Sequence, residues 1–156
     1  MEWYKYIVPY DSTVHENAAA LLALQARAYG QEAKLIGATN FPPLADTIED
    51  IKGCGEIVSA CVADGELLGA LGYIVDGSDI VVCRLVVSPE WFHKGIGSGL
   101  LEAVMASSSH AKRIFVTTSV GNDPAINFYS KRHGFSAVND HTAKEGILLR
   151  TYVRSL

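Results

Sequence analysis

The chain has 156 residues, 49% hydrophobic and 19% charged. At ~150 residues per domain this predicts one domain spanning 1–156 with its own core, and excludes disordered and low-complexity classes. Thirteen Lys and Arg against seventeen Asp and Glu leave a formal charge of -4, so there is no overall basic field to hold a nucleic-acid backbone. Cys54, Cys61 and Cys83 lack CxxC spacing, which argues for reduced, mostly buried thiols rather than a disulfide framework or a zinc site. The start of the chain lacks a basic stretch ahead of an apolar run, and the stretch around Ala18 to Leu24 falls far short of the ~20 residues that cross a bilayer. A cytoplasmic protein without membrane contact is expected.

In chain order, alternation over Trp3 to Val8, ended by Pro9, predicts a first strand. Asp11, Ser12 and Thr13 offer caps for a helix over Val14 to Tyr29, with Gly30 as its stop. Leu44 to Lys52 predicts a short second helix broken by Gly53 and Gly55. Glu56 to Ala63, Leu67 to Val75 and Ile80 to Val87 are β-rich runs separated by Asp64-Gly65 and Asp76-Gly77, which predicts an antiparallel meander. Ile96, Leu100, Leu101, Val104 and Met105 then form a helical apolar stripe that fades in Ser107-Ser108-Ser109. Arg113 to Thr118 reads as a strand, Pro124 to His133 as a helix introduced by Asn122-Asp123-Pro124 and stopped by Gly134, and Phe135 to Val138 and Ile147 to Val153 as two closing strands. The order β-α-α-β-β-β-α-β-α-β-β has one helical crossover between strands, joining the fourth and fifth, which should therefore lie parallel. The fold class is α/β of the α+β type: a mixed, mostly antiparallel twisted sheet of about seven strands flanked by about four helices.

Phe92-His93-Lys94-Gly95-Ile96-Gly97-Ser98-Gly99-Leu100 lies where a strand hands over to a helix. Glycines there let main-chain N–H groups approach a ligand, and the helix N-terminus carries about half a positive charge, so phosphate oxygens are matched. A tight turn that merely allows close helix-to-sheet packing is the plainer alternative. A dinucleotide fingerprint fails because its third glycine position is Leu100, a P-loop because Lys94 precedes Gly95, and a serine-hydrolase elbow at Ser98 because its flanking glycine positions are Ile96 and Leu100.

The spelling that fits resembles the pyrophosphate loop of the GCN5-related N-acetyltransferase family, Q/R-x-x-G-x-G/A after a strand ending in V-x-P. Val87-Ser88-Pro89 supplies the strand end, and Gly95 and Gly97 the glycines. Asn122, Ala125 and Tyr129, followed by Gly134-Phe135, resemble the family's N-x-x-A-x-x-x-Y segment and its Gly-Phe. Two departures stand out: Phe92 occupies the Q/R position, and four residues rather than three separate Tyr129 from Gly134. The resemblance implies acetyl transfer from acetyl-CoA to a primary amine, by direct attack on the thioester and without a metal. It further implies that Leu85 and Val86 line the pantetheine, that the Val87 N–H meets the carbonyl oxygen, and that His93, Lys94, Gly95, Ile96, Gly97 and Ser98 present amides to the pyrophosphate. Asn122 would bond the cofactor arm, and Tyr129 would protonate the leaving thiolate. Read alone, Asn122 equally caps a helix and Tyr129 equally anchors a core.

The base is left open among Asp79, a carboxylate of the 30–52 segment such as Glu32, a water chain, and an acceptor that ionises low. Strand five offers only Thr117, Thr118 and Ser119, and strand four has Cys83 besides Asp79. His15, His110, His133 and His141 are scattered without ligand spacing and read as surface or capping residues. Tyr29, Phe41 and Pro42-Pro43 are candidate walls of an amine pocket, with Asp46 or Glu49 attracting a cation; ordinary loop packing is the simpler reading. The expected partner is a small-molecule or protein amine, with a homodimer left open. A non-catalytic acyl-CoA-binding or regulatory module is the alternative, prompted by the missing base and by Phe92.

Overall fold

The computed structural model describes residues 2–38, 45–143 and 145–156. Its strands are β1 (Ile7–Pro9), β2 (Ile57–Ala63), β3 (Glu66–Asp76), β4 (Asp79–Val87), β5 (Arg113–Ser119), β6 (Ser136–Thr142) and β7 (Leu148–Ser155), and its helices α1 (His15–Ile36), α2 (Ile48–Lys52), α3 (Ile96–Ser107) and α4 (Asp123–Asn127). Among the described residues the strands form one sheet, ordered β1-β2-β3-β4-β5-β7-β6. Only β4 and β5 pair in parallel; every other neighbour is antiparallel. The meander and the parallel crossover stand as the sequence predicts, and β7 inserts between β5 and β6.

The apolar residues divide between the sheet's two faces. Ile96, Leu100, Leu101 and Val104 of α3 pack with Leu68, Leu71, Ile80, Ile114, Tyr129 and Phe135. Ala18, Leu21 and Leu24 of α1 pack with Ile51, Val58, Ala60, Ala70 and Val86. Each fully buried Leu or Ile contributes roughly 1.5–3 kcal/mol, so the three-to-four spacing read from sequence decides which helix face meets the sheet.

Several boundaries differ from expectation. Trp3–Tyr6 winds into a 3-10 turn, and only Ile7–Pro9 pairs as a strand. Trp3 is buried with its ring edge-on to Trp91, 5.7 Å between centroids, and its Nε1–H donates to the Lys94 carbonyl at 2.6 Å. Those tertiary contacts override the alternation. Helix α1 passes through Gly30 and ends at Gly37, which has φ 70°; the Ala38 N–H then closes on the Ala33 carbonyl. Its N-cap position is Val14 rather than one of the expected polar residues, because Asp11 accepts from the Thr13 N–H and hydroxyl instead. Helix α2 is shorter than expected because Thr47 and Asp50 form a capping box that starts it at Ile48; Leu44 lies outside the described residues. The predicted fourth helix is α4 followed by one π-helical turn, Phe128–Arg132, in which the His133 N–H reaches the Phe128 carbonyl. That wider turn absorbs the extra residue between Tyr129 and Gly134. Phe135, expected to open the sixth strand, is instead buried in the core just before it.

Helix α3 sits directly over β3 at Gly69, where an added Cβ would lie 2.8 Å from Ile96 Cγ2 and 3.2 Å from the Val86 carbonyl. Gly69→Ala is therefore expected to lower unfolding stability by about 1–3 kcal/mol in urea titrations, by forcing the first turn of α3 off the sheet.

Candidate active site

Strand β4 pairs with β5 over only three positions, Asp79–Val81 against Arg113–Phe115. On its other edge, Tyr73 of β3 faces Val82 and Gly72 faces Arg84, so Cys83 is the extra residue of a β-bulge. Beyond it β4 follows β3 to Val87 while β5 follows β7 to Ser119, and the sheet splits. A cavity of about 430 Å³ occupies the split, lined by Cys83, Arg84 and Leu85 of β4, Val116 to Ser119 of β5, and Tyr29, Glu32, Asn122, Tyr129 and Glu145 among others. A second cavity of about 510 Å³ shares Ser119, Glu145 and Ile147 with it.

At the far end of β4 the Ser88 N–H donates to the Leu68 carbonyl of β3 at 2.8 Å. Because N–H directions alternate along a strand, the Val87 N–H points to the edge that β5 has left. Val86 points the other way: its side chain is sealed in the core beneath α1. A 3-10 turn, Pro89–Trp91, leads on, held from α1 by Arg27, which bonds both Ser88 and Glu90. The Ser88 hydroxyl and Arg27 together hold the exposed Glu90 carboxyl down to about 2. Phe92, His93 and Lys94 are exposed, His93 adopts φ 60°, and Gly95 caps α3 at φ 89°. The Gly99 N–H is the first to bond back into the helix, to the Gly95 carbonyl, so the N–H groups of Ile96, Gly97 and Ser98 have no intrahelical partner. Sequence reasoning assigned Trp3 no part in this loop, yet its hydrogen bond to the Lys94 carbonyl fixes the turn where Phe92 supplies no polar group.

The Ile96 side chain is core, and Ser98 Oγ lies 2.9 Å from His133 Nε2. His133 is buried against Phe128, ring centroids 4.6 Å apart, and is not the surface residue its scattered spacing suggests. Gly97 faces Phe128: an added Cβ would sit 3.5 Å from that ring and 3.9 Å from Val87 Cγ2. Phe128 stacks edge-on with Tyr129 at 5.1 Å, so the helix N-terminus and the tyrosine flank one contact. None of His93 to Ser98 lines the cavity itself; Leu85, Asn122 and Tyr129 do.

Tyr129 is 6% exposed. Its hydroxyl has no hydrogen-bond partner among the described residues, yet no fully buried polar side-chain atom goes unsatisfied, so the hydroxyl opens onto the cavity. Burial, with smaller contributions from Tyr29 and Glu32, pushes its ionisation upward and keeps it protonated. Asn122 Oδ1 caps α4 by accepting from the Ala125 N–H at 3.3 Å. Burial also raises the Glu32 carboxyl, while hydrogen bonds from Ser119 (3.1 Å) and Asn122 oppose that rise. Arg84 is engaged on every side. It bonds Glu56 through Nε and Nη2 at 2.8 and 2.7 Å and Gln25 through Nη1 at 2.5 Å, and Gln25 in turn holds Asp46 at 2.8 Å. Burial disfavours the Arg84 charge, but Glu56 more than offsets it and the guanidinium stays protonated.

Of the other candidates, Asp79 pairs with Arg113 at 2.9 and 3.0 Å where β4 and β5 are still joined, away from the cavity. Glu49 is an exposed partner of Lys52. Phe41, Pro42 and Pro43 lie outside the described residues. Cys83, expected among buried thiols, is exposed at the bulge.

Residues 19–135 match the model of the acetyltransferase (GNAT) family. The chain belongs to that family. Over 135 residues, 86% of its length, it is 34% identical to the UPF0157 protein YqkA of Bacillus subtilis, and it spans 39% of YqkA. The fold of this GNAT chain is similar to that of an acetyltransferase from Thermus thermophilus, with TM-score 0.78 and 21% identity over 96% of this chain and 97% of that one. It is likewise similar to the PaiA N-acetyltransferase from Thermoplasma acidophilum in complex with coenzyme A, with TM-score 0.72 and 16% identity over 93% and 97%. Among the described residues no group of three or more His, Cys, Asp or Glu side chains is placed to hold a metal ion, and no helix is long and apolar enough to cross a membrane.

Burial lowers the His133 pKa, so the folded state favours the neutral ring. Its contribution to stability is complete above the unfolded value near 6.5 and is lost as pH falls below it. Melting temperatures of the native protein should drop between pH 7.5 and 5.5, and the drop should be smaller in His133→Gln.

Proposed function

We propose that this chain transfers an acetyl group from acetyl-CoA to a primary amine by direct attack of the neutral amine on the thioester. What supports this reading is one coincidence at the end of β4: three unpaired N–H groups at the start of α3 lie across Phe128 from a buried tyrosine whose hydroxyl opens onto the cavity. The donors are main-chain groups and need no particular side chain at position 92.

Acetyl-CoA supplies the activated acetyl group. The N–H groups of Ile96, Gly97 and Ser98, with the exposed Lys94 beside them, hold the diphosphate charge. Leu85 and Val87, on the edge of β4 that β5 has left, line the path of the cofactor's arm. The Val87 N–H donates to the carbonyl oxygen as negative charge grows there, a stabilisation worth more in a site screened from water. Tyr129 gives its proton to the leaving sulfur and recovers one from the nitrogen, so a C–N bond replaces the C–S bond and no net proton is released once the amine is neutral; the one proton set free overall is the one the ammonium loses beforehand. The non-catalytic alternative arises from the lack of a base in the sheet and from Phe92; the Glu32 carboxylate in the cavity and the main-chain donors of the loop weigh against it.

Three substitutions test the reading. Gly97→Ala places a methyl in ordinary contact with Phe128 and should preserve the rise in melting temperature that acetyl-CoA produces, whereas Gly97→Asp should abolish it by setting a carboxylate among the diphosphate donors. Acetyl-CoA stabilising the Asp variant as well as the native chain would refute the site. Tyr129→Phe removes a hydroxyl with no hydrogen-bond partner among the described residues, so it should fold normally while kcat falls about 100-fold and KM for acetyl-CoA changes little. An unchanged kcat removes the tyrosine from the mechanism.

A further inference from the structure

We infer that Glu32 is the group that receives the acceptor's ammonium in the cavity and takes its proton, so that the base comes from α1 rather than from the sheet, and that the acceptor is a small amine with no anionic group. The inference rests on the proposed acetyl transfer and assigns the acceptor half of the same site.

Four observations carry it. First, the Glu32 carboxylate lines the cavity together with Tyr129, a buried residue whose hydroxyl opens onto the same space with no hydrogen-bond partner among the described residues. Second, Glu32 has no Lys, Arg or His counter-ion among the described residues; its partners are the neutral Ser119 hydroxyl at 3.1 Å and the Asn122 side chain. A half-buried carboxylate held only by neutral donors is stabilised by a cation brought in from outside. Third, the cavity's basic side chain, Arg84, is matched by Glu56 and Gln25, with Asp46 3.8 Å from it. It has no free fork for an acceptor carboxylate. Glu145, where the two cavities meet, is a second carboxylate with no ion-pair partner among the described residues. Among the described residues the charge left facing the acceptor is therefore negative. Fourth, the competing bases are elsewhere or unsuited: Asp79 is bound to Arg113 and His133 to Ser98, Glu145 is exposed to solvent, and partial desolvation together with the Glu56 carboxylate raises the Cys83 thiol and keeps it protonated.

The chemistry follows. The groups facing Glu32 are Tyr29 on its own helix, Ser119 and Asn122 at the end of β5, Tyr129 beside α4, Arg84 and Cys83 on β4, and Glu145. Burial makes Glu32 a stronger proton acceptor than a surface carboxylate, which narrows the gap to an alkylammonium. The ammonium gives one proton to the carboxylate, which passes it to solvent, and the freed lone pair attacks the acetyl carbon.

The test uses the purified chain with acetyl-CoA and three four-carbon amines that differ at the far end: 1,4-diaminobutane, n-butylamine and 4-aminobutanoate. Thiol release should show kcat/KM falling in that order, by about tenfold or more from first to last. Glu32→Gln keeps the size and an acceptor for Ser119. It should cut kcat/KM for 1,4-diaminobutane at pH 7 about 100-fold, and the loss should shrink steadily as pH rises and the free amine forms unaided. A structural role would not produce that pH-dependent recovery. Hydroxylamine, largely neutral at pH 7, reports on the native chain whether acetyl transfer occurs at all. If acetyl-CoA does not bind and hydroxylamine is not acetylated, the acetyltransferase reading itself fails and takes this inference with it. If hydroxylamine is acetylated but none of the three amines is, if 4-aminobutanoate is the best of them, or if Glu32→Gln matches the native rate across pH, the acceptor assignment alone is overturned.

Discussion

The departure of β4 from β5 after three paired residues is the constraint on which the site depends. A sheet interrupted in its middle exposes main-chain donors and acceptors that adjacent strands would otherwise satisfy, and such an edge persists only if something keeps the strands apart. Here the bulge at Cys83 turns β4 away, and Arg84 immediately after it is tied to Glu56 and Gln25. The Glu56 carboxylate lies against Gly72 of β3, where an added Cβ would be 2.1 Å from it, so the glycine leaves the room the carboxylate occupies. Arg84 and Glu56 side chains are 10% and 7% exposed. A buried ion pair of this kind adds little net stability against an apolar replacement, but breaking one partner leaves an unpaired charge. Its consequence here is geometric, since it fixes the direction in which β4 leaves the split.

A second set of contacts places the N-terminus of α3 at the far end of that edge. Gly69 lets the first turn approach β3, Trp3 holds the Lys94 carbonyl, and Arg27 ties the preceding turn to α1. Gly99 packs tightly on Trp3 and Ile7, with an added Cβ 3.3 and 3.4 Å from their side chains. The glycines of the loop thus divide their work: Gly99 permits close packing, whereas Gly95 supplies a left-handed cap and Gly97 leaves room beside Phe128. The packing reading of a glycine-rich turn therefore applies to Gly99, while Gly95 and Gly97 keep the first turn of α3 open.

The three-strand meander and the stripe of α3 were legible because alternation and helical spacing are set by neighbours in sequence. The first strand misled for the same reason: Trp3 to Val8 alternates correctly, and only its burial against Trp91 and α3 shows that the segment must coil. Gly30 reads as a stop but has open space around it inside α1, and the chain stops at Gly37 instead. The extra residue before Gly134 was visible as a spacing anomaly, and the π-helical turn is its structural form. His133 carried no signal at all, since its partner Ser98 is 35 positions away.

The strand and helix order, the glycines at the start of α3 and the helix-capping types around Asn122 are written in the chain itself. Each of these follows from backbone preferences and short-range periodicity within a few residues. Folding in three dimensions was needed to bring Glu32 into the cavity. Glu32 and Ser119 are separated by 87 positions and meet only because α1 crosses the split sheet. The same packing leaves Arg84 neutralised and Glu32 not, because the charge that remains in a cavity depends on which distant side chains have already been brought together.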